Sequence, residues 1–216
     1  MNYRSVSLAD RVFEKLEDDI VHGLLPANDI ITEVKIAESL GVSRTPIREA
    51  FRRLEQESLI QDIGKGYLVL GITNEILVDI MDIRIALEPL ASYYAAKNIT
   101  DEGIRELKDI LDLQEFYSTK QDIDHLREED EVFHEAICRL SGRNVIAETL
   151  LPLHRKTRLY RRISIESNTR RTHSLEEHRN IFTAIAAGDG DRAAQLTAEH
   201  VNRAKKNMIE RLNCNG

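Results

Sequence analysis

The chain has 216 residues, of which 42% are hydrophobic and only 5% aromatic, and it carries a formal net charge of -7 at pH 7. This length suffices for one large or two small domains, and the composition favours a mostly helical protein over a β-sandwich. Two cysteines exclude a disulfide framework, and the absence of a signal-peptide pattern and of an apolar run of about 20 residues predicts a cytoplasmic protein that does not enter membranes.

The first third of the chain predicts three helices and a hairpin. Residues 8–22 repeat apolar side chains at helical spacing, and Thr32 and Ser43 can cap two further helices that only a tight turn at Gly41 separates. The stretch "LIQDIGKGYLVL" then alternates β-prone residues on either side of a Gly-Lys-Gly tip, as a β-hairpin does. This order predicts a winged helix-turn-helix domain over residues 1–71.

The third predicted helix concentrates positive charge in an acidic domain. The segment "RTPIREAFRR" holds four arginines, whereas residues 1–71 contain nine Lys and Arg against twelve Asp and Glu. At the spacing of an α-helix, Arg44, Arg48 and Arg52 form one stripe beside an apolar stripe, so one face packs and the other is exposed. A cationic ridge on a negatively charged body restricts the binding of an anionic partner to that ridge.

Double-stranded DNA explains this ridge, because a helix fits the major groove and arginine reads guanine with two hydrogen bonds. Thr45 can contact a phosphate or a thymine methyl group, and the wing tip can reach the DNA backbone or the minor groove. The predicted DNA contacts are Arg44, Thr45, Arg48, Arg52, Lys65 and Gly66. The alternative is a solvated helix face whose arginines pair with acidic neighbours, which is our interpretation of Arg53 because it points away from the stripe.

The rest of the chain has no strand pattern and predicts an all-α domain. After a linker at residues 72–74, residues 75–216 contain amphipathic stretches at about 74–97, 101–117, 122–141, 144–162, 175–187 and 190–212. Ser174 and Glu177 fit a capping box at the start of the fifth of these helices. The predicted fold class is therefore mostly α, with an N-terminal winged helix-turn-helix followed by an all-α six-helix bundle.

Three of the seven histidines stand out in this second domain. Asp130 and His134 are spaced i and i+4, so both side chains leave one face of a helix and could hold one ion. His178 shares a stripe with apolar residues and His200 lies in the last helix, so both could point inward. On spacing alone, a core histidine with an ordinary hydrogen bond is the commoner case. The other four histidines, among them His154, have no evident partner at metal-ligand spacing.

The motifs resemble those of a known family. "SLGVSRTPIREAFRRLEQESLI" followed by "GKGYLV" resembles the DNA-binding domain of GntR-family bacterial transcription regulators. The helical remainder resembles the FCD ligand-binding domain of the FadR subfamily, and six predicted helices rather than seven indicate its VanR-like group. The wing departs from the family pattern, since Lys65 stands where relatives often carry Arg.

The resemblance implies a metal site. Many FCD domains hold a divalent ion with an Asp-x-x-x-His pair on one helix and one His from each of two later helices. Asp130, His134, His178 and His200 match this pattern in order and spacing. Three imidazoles and one carboxylate suit Zn²⁺ or Ni²⁺, with Mn²⁺ or Fe²⁺ as alternatives. Open coordination positions would accept water or the carboxylate of an effector.

Arg84 is a candidate effector contact, because it falls between Ile80 and Leu87 on the apolar face of its helix and a buried cation requires an anion. A bound organic acid could supply that anion, with its carboxylate held by Arg84 and the metal together. The alternative is an internal salt bridge, for instance to Glu88. Arg158 is a second candidate for binding the effector.

Together these features predict a metabolite-responsive transcription regulator that binds a pseudo-palindromic operator in double-stranded DNA as a homodimer. We expect a repressor that a small carboxylate metabolite releases from DNA. Two alternatives use the same residues: a regulator for which the ion itself is the signal, and a metal-dependent enzyme. We predict that the protein is not an enzyme, because no dedicated acid or base accompanies the predicted ligands and an enzyme needs no recognition helix.

Overall fold

A computed structural model describes residues 7–21, 23–71, 73–157 and 168–214. The chain forms two compact units, and the division falls between Thr73 and Asn74, within the predicted linker. Each unit has its own hydrophobic core.

The N-terminal unit contains the three predicted helices, α1 (Leu8–Val21), α2 (Glu33–Leu40) and α3 (Arg44–Gln56). Thr32 caps α2 by accepting a hydrogen bond from the backbone N–H of Lys35. Gly41 follows the last turn of α2 in the left-handed region, at φ 65°, which glycine adopts without steric cost. Ser43 occupies the N-cap position of α3, but its side chain makes no capping hydrogen bond. Together, α2, the short turn and α3 form the predicted helix-turn-helix.

A three-stranded antiparallel sheet completes this unit. Its strands are β1 (Ile30–Ile31), β2 (Ile60–Asp62) and β3 (Tyr67–Val69), in the order β1-β3-β2. The β2–β3 hairpin is the predicted wing, whereas β1 is absent from the sequence prediction because two residues are too few to show an alternating pattern. An added Cβ atom on Gly66 would lie 2.9 Å from the carbonyl oxygen of Ile31, so the wing requires glycine at this position.

The packing of α3 leaves one of its faces free. Ile47, Ala50, Phe51 and Leu54 are fully buried against α1 and the sheet, as the apolar stripe predicts. The ring of Phe51 meets that of Tyr67 edge to face, with centroids 4.8 Å apart, which attaches α3 to the wing. The arginine stripe therefore remains on the solvent side of the helix.

The C-terminal unit contains six helices among the residues that the structure describes. They are α4 (Asn74–Asn98), α5 (Asp101–Lys120), α6 (Ile123–Leu140), α7 (Asn144–Lys156), α8 (Asn168–Ala186) and α9 (Gly190–Cys214). The predicted bounds of α4, α5, α6 and α9 agree with these to within a few residues. The helix predicted at 144–162 has the expected start, but α7 ends at Lys156 with Thr157 as its C-cap, and residues 158–162 lie outside the described part of the chain.

The start of α8 corrects the sequence prediction. This helix begins at Asn168 rather than near residue 175, so the predicted capping box of Ser174 and Glu177 is wrong. Ser174 is buried within the helix, and the Glu177 carboxylate contacts His200 instead. A Ser-x-x-Glu pattern marks a helix start only where the preceding residues are not helical. Because residues 158–167 lie outside the described residues, the assignment to the VanR-like group stays a prediction.

The C-terminal unit is held together by apolar side chains from several of its helices. Fully buried residues include Ala91, Leu107, Phe133, Leu150 and Ile185. α9 packs against α4, where the hydroxyl of Thr197 donates a hydrogen bond to that of Ser92 across 2.7 Å. Among the described helices, none is long and apolar enough to cross a lipid bilayer.

Candidate nucleic-acid interface and metal centre

The exposed face of α3 carries the predicted recognition residues. Arg44, Thr45, Arg48 and Arg52 are all exposed, and we refer to these four as the α3 ridge. At the wing tip, Lys65 is exposed and Gly66 is half-buried. The surface thus combines a row of guanidinium groups with an ammonium group on a hairpin, which is suited to a polyanion.

Glu33, the first residue of α2, binds two arginines of the α3 ridge. Its Oε2 accepts a hydrogen bond from Nη2 of Arg44 at 3.0 Å. Arg48 donates from Nε to Oε1 at 3.3 Å and from Nη2 to Oε2 at 3.4 Å. The hydrogen bonds from Arg48 and Arg44 hold the pKa of the Glu33 carboxyl below its ordinary value, so this group is ionised at neutral pH. Sequence reasoning missed Glu33, because it lies on another helix and shares no helical period with the arginines.

Arg53 has a structural environment. Its Nη1 donates a hydrogen bond to Oδ1 of Asp10 at 2.7 Å, and its guanidinium lies 4.0 Å from the centre of the Phe13 ring. Both contacts join α3 to α1. Arg53 therefore contacts α1, unlike the ridge arginines, which agrees with its position off the stripe.

Three of the four predicted metal ligands come together in the C-terminal unit. His134 of α6, His178 of α8 and His200 of α9 are buried, and one ring nitrogen from each lies within 4.8 Å of the others. Asp130, one turn before His134, is also buried, and its Oδ1 lies 3.7 Å from Nε2 of His178. Three helices thus bring one donor atom each into a space that a single metal ion could occupy, with a carboxylate beside it.

The Nδ1 atom of each imidazole lies against an oxygen atom of a side chain from a different helix, and for His178 and His200 the contact is a hydrogen bond. The three Nδ1 contacts are His178 with Oε1 of Gln114 at 2.9 Å, His200 with Oε2 of Glu177 at 2.6 Å, and His134 with Oε2 of Glu88 at 3.3 Å. A histidine whose Nδ1 is fixed in this way offers Nε2 to an ion, and metal-binding histidines are usually oriented by such partners. Sequence reasoning missed all three partners, because each lies on a different helix from its histidine.

His178 has two properties that a metal ligand requires. Burial lowers the pKa of its imidazole well below 6.5, and the neighbouring His200 lowers it further. The ring is therefore neutral at physiological pH, which is the form that binds a metal. Its Nε2 is buried and makes no hydrogen bond with any residue that the structure describes. Buried polar atoms without a partner are uncommon, and a bound ion would satisfy this one.

Glu88 of α4 connects the histidine cluster to a buried arginine. Its Oε1 accepts a hydrogen bond from Nε of Arg84 at 2.5 Å and lies 2.9 Å from Nε2 of His154. Burial raises the pKa of Glu88, but the nearby Arg84 and His154 outweigh that effect and leave the pKa well below its ordinary value. The internal salt bridge considered for Arg84 is therefore present. His154 shows no partner at metal-ligand spacing in the sequence, and the partner that the structure gives it, Glu88, lies 66 residues away.

A small cavity lies beside the cluster. Its volume is about 10 Å³, and its lining includes Asp130, His178 and Arg171. This is room for about one water molecule. Arg171 is buried on α8 and is absent from the sequence prediction because it precedes the predicted start of that helix. The second predicted effector contact, Arg158, lies outside the described residues.

The two units match two family profiles. The profile "Bacterial regulatory proteins, gntR family" matches residues 8–66, and the profile "FCD domain" matches residues 79–203. This chain belongs to the GntR family. It is a DNA-binding transcription regulator with an N-terminal helix-turn-helix domain and a C-terminal FCD domain, as the sequence motifs predict.

Similar GntR-family proteins are transcription regulators and not enzymes. The gluconate operon transcriptional repressor of Bacillus subtilis (strain 168) is 29% identical over 202 residues, which cover 89% of this chain and 80% of that protein. The Nta operon transcriptional regulator of Aminobacter aminovorans is 30% identical over 181 residues, covering 83% of this chain and 84% of that protein. The structure of E. coli McbR/YncC has the same fold, with a TM-score of 0.79 at 23% identity over 96% of this chain and 99% of that chain.

Proposed function

We propose that this GntR-family regulator binds operator DNA with the α3 ridge in the major groove and the wing tip, Lys65 and Gly66, at the backbone or minor groove. One such unit covers only a short site. A homodimer that occupies both halves of a pseudo-palindromic operator would supply the specificity that a genome demands. The protein would work in the cytoplasm, where bacterial operator DNA is found.

In the same proposal, a divalent ion is held by His134, His178 and His200, with Asp130 as the fourth ligand. The observation that carries this part is that Nδ1 of His178 and of His200 is hydrogen-bonded and Nδ1 of His134 lies beside the Glu88 carboxylate, which leaves each Nε2 for an ion. A core without such a role has no need for three adjacent imidazoles, each with a polar partner. The donor set favours Zn²⁺ or Ni²⁺, while Mn²⁺ and Fe²⁺ also accept these ligands.

The proposed effector is a small carboxylate metabolite. An ion with coordination positions beyond its protein ligands accepts a carboxylate oxygen. Effector binding would shift the dimer between geometries that do and do not present both α3 ridges at half-site spacing. Relief of repression is the sign we propose, in line with the name of the gluconate operon repressor. Contacts of the effector with Arg84 and Arg158 stay predictions, and at Arg84 the effector would share the guanidinium with Glu88.

Thermal unfolding combined with metal analysis tests the effector site. The purified protein would be analysed for bound metal and then melted with a panel of small organic acids, with and without prior EDTA treatment. A ligand at 100 times its dissociation constant adds about 2.7 kcal/mol to the free energy of unfolding, so an effector raises Tm. We expect one acid to raise the Tm of metal-loaded protein and EDTA to abolish that rise.

Two histidines of α8 give a matched pair for this experiment. His178→Gln should lose both the metal and the response to the acid, whereas His173→Gln changes an exposed histidine and should keep both. If no acid raises Tm but EDTA lowers it, the ion is itself the signal or a structural element, and the carboxylate part of the proposal fails. If the protein binds no divalent ion, the metal site fails as well.

The DNA-binding surface has its own test. Arg48→Ala should weaken binding to an operator duplex by at least about tenfold while metal content is unchanged. Arg53→Ala is the control, because it removes an arginine from the same helix that contacts Asp10 and Phe13 instead of facing outward. Normal DNA affinity of Arg48→Ala would contradict the assignment of the α3 ridge.

A further inference from the structure

The side chain of Glu33, at the start of α2, contacts α3 and lies inward of two guanidinium groups. Its side chain is only 15% exposed, whereas those of Arg44 and Arg48 are 60% and 68% exposed. Both of its oxygens accept hydrogen bonds from Arg48, and Oε2 also accepts one from Arg44. The largely buried carboxylate of Glu33 therefore restrains two arginines that are exposed to solvent.

This contact leaves the outer edge of each guanidinium available. A guanidinium has five N–H donors, and Arg48 gives Glu33 one from Nε and one from Nη2. Both hydrogens on Nη1 and the second hydrogen on Nη2 remain. Two parallel donors of this kind match O6 and N7 of guanine in the major groove. Glu33 thus occupies the inner side of Arg48 without removing the donors that a base would accept.

Holding the arginines in this way affects specific and nonspecific binding differently. An arginine fixed by a carboxylate has lost side-chain entropy before DNA arrives, so a contact at the fixed position costs less. A phosphate anywhere near the ridge is repelled by the negative charge of Glu33, whereas the neutral edge of guanine is not. The carboxylate therefore weakens capture of the arginines by phosphates on any sequence and favours contact with a base.

We propose that Glu33 is a positioning residue that sets the sequence discrimination of this regulator, by presenting Arg44 and Arg48 to guanine and by opposing their capture by phosphates. This inference rests on the proposed role of the α3 ridge in DNA binding. It assigns the discrimination partly to a residue outside the recognition helix. Total affinity for DNA is lower with Glu33 present, and the ratio between specific and nonspecific affinity is higher.

The test uses the full-length protein and two DNA duplexes. One duplex is selected by the wild-type protein in vitro from a random pool, and the other is a scrambled sequence of the same base composition. Glu33→Gln removes the carboxylate charge but keeps the size of the side chain. Glu38→Gln is the matched control, because Glu38 is exposed on the same helix and its substitution changes the net charge equally.

We expect Glu33→Gln to bind the scrambled duplex more tightly and to lower the ratio of selected to scrambled affinity about tenfold. Glu38→Gln should change this ratio by less than about twofold. A second selection with Glu33→Gln should give a broader base preference where the wild-type protein requires guanine. Partial misfolding of a variant does not imitate this result, because it reduces both affinities by the same factor and leaves their ratio intact.

An unchanged ratio for Glu33→Gln, or a fall no larger than that of Glu38→Gln, would overturn the role of Glu33 and leave the DNA-binding surface in place. If the wild-type protein enriches no sequence from the pool, the assignment of the α3 ridge fails, and the inference about Glu33 fails with it.

Discussion

Oε2 of Glu88 lies 3.3 Å from Nδ1 of His134, while Oε1 of the same carboxylate accepts a hydrogen bond from Nε of Arg84. One buried anion on α4 therefore compensates a buried cation and orients a candidate metal ligand. Its removal would disturb the stability of the bundle and the metal site together.

Glu88→Gln should lower both the stability and the metal affinity of the protein. The amide leaves Arg84 without its anion, and breaking a buried ion pair costs about 3–5 kcal/mol of unfolding free energy. Loss of a partner that orients a metal-binding histidine typically costs about 10–100-fold in metal affinity. Urea unfolding and a competitive chelator titration would measure the two effects. Glu106→Gln, which breaks the exposed pair with Arg139, should leave metal affinity unchanged. Wild-type metal affinity in Glu88→Gln would refute the orienting role.

The stability of the EDTA-treated protein should fall as the solution is made acidic. The pKa of His178 lies well below 6.5 in the folded state, so below about pH 6.5 the unfolded chain takes up a proton that the folded chain does not. Acid therefore favours unfolding, by up to about 1.4 kcal/mol per pH unit from this one group. Denaturant titrations between about pH 7 and pH 5 would measure the slope. His178→Gln should flatten the slope relative to the wild type, and an equal slope in both proteins would contradict the prediction.

Gly66→Ala should destabilise the N-terminal unit more than Gly64→Ala. At Gly66 the backbone has φ 147° and a new Cβ would meet the carbonyl oxygen of Ile31, whereas at Gly64, with φ 78°, a new Cβ has nothing within 4 Å. We expect a loss of about 1–3 kcal/mol for Gly66→Ala and about 1 kcal/mol for Gly64→Ala. Thermal unfolding followed by circular dichroism compares the two. Equal stability of both variants would show that the wing can move away from β1.

Substitution of two adjacent arginines of α3 should have different effects: Arg53→Ala should lower stability, and Arg52→Ala should weaken DNA binding. Arg53→Ala removes a guanidinium from the face of the Phe13 ring, a contact that is worth about 0.5–1 kcal/mol at an exposed site. Arg52→Ala, on the ridge, should leave stability unchanged but weaken DNA binding and reduce its salt dependence by about one phosphate contact. Binding titrations at several salt concentrations measure this slope. If Arg53→Ala weakened DNA binding and Arg52→Ala did not, the DNA-contacting face would lie on the other side of the helix.

The sequence predicts the parts of this molecule that repeat with a local period or carry a compact motif. Arg44, Arg48 and Arg52 share a helical stripe, and the glycine-tipped wing is a contiguous signal. The Asp-x-x-x-His pair of Asp130 and His134 is local in the same sense. What the sequence does not reveal are contacts between distant segments. Glu33 restrains the α3 ridge from another helix, and Glu88 meets His134 from another helix, so neither leaves a pattern in the neighbouring residues.

Two further differences have local causes. Strand β1 consists of two isoleucines, which favour a strand, but two residues are too few to show the alternating pattern by which a strand is predicted. The beginning of α8 is misplaced because Ser174 and Glu177 fit a helix start, although both contribute to the interior of the helix.

The three histidines of the cluster belong to three different helices, α6, α8 and α9. A bound ion would therefore act as a three-way cross-link, and it could leave only when α6, α8 or α9 separates locally from the others. The rate of metal release into a chelator would then measure how often these helices open. Amide hydrogen exchange should slow when the ion is bound, and the factor should be the same in α8 as in α9.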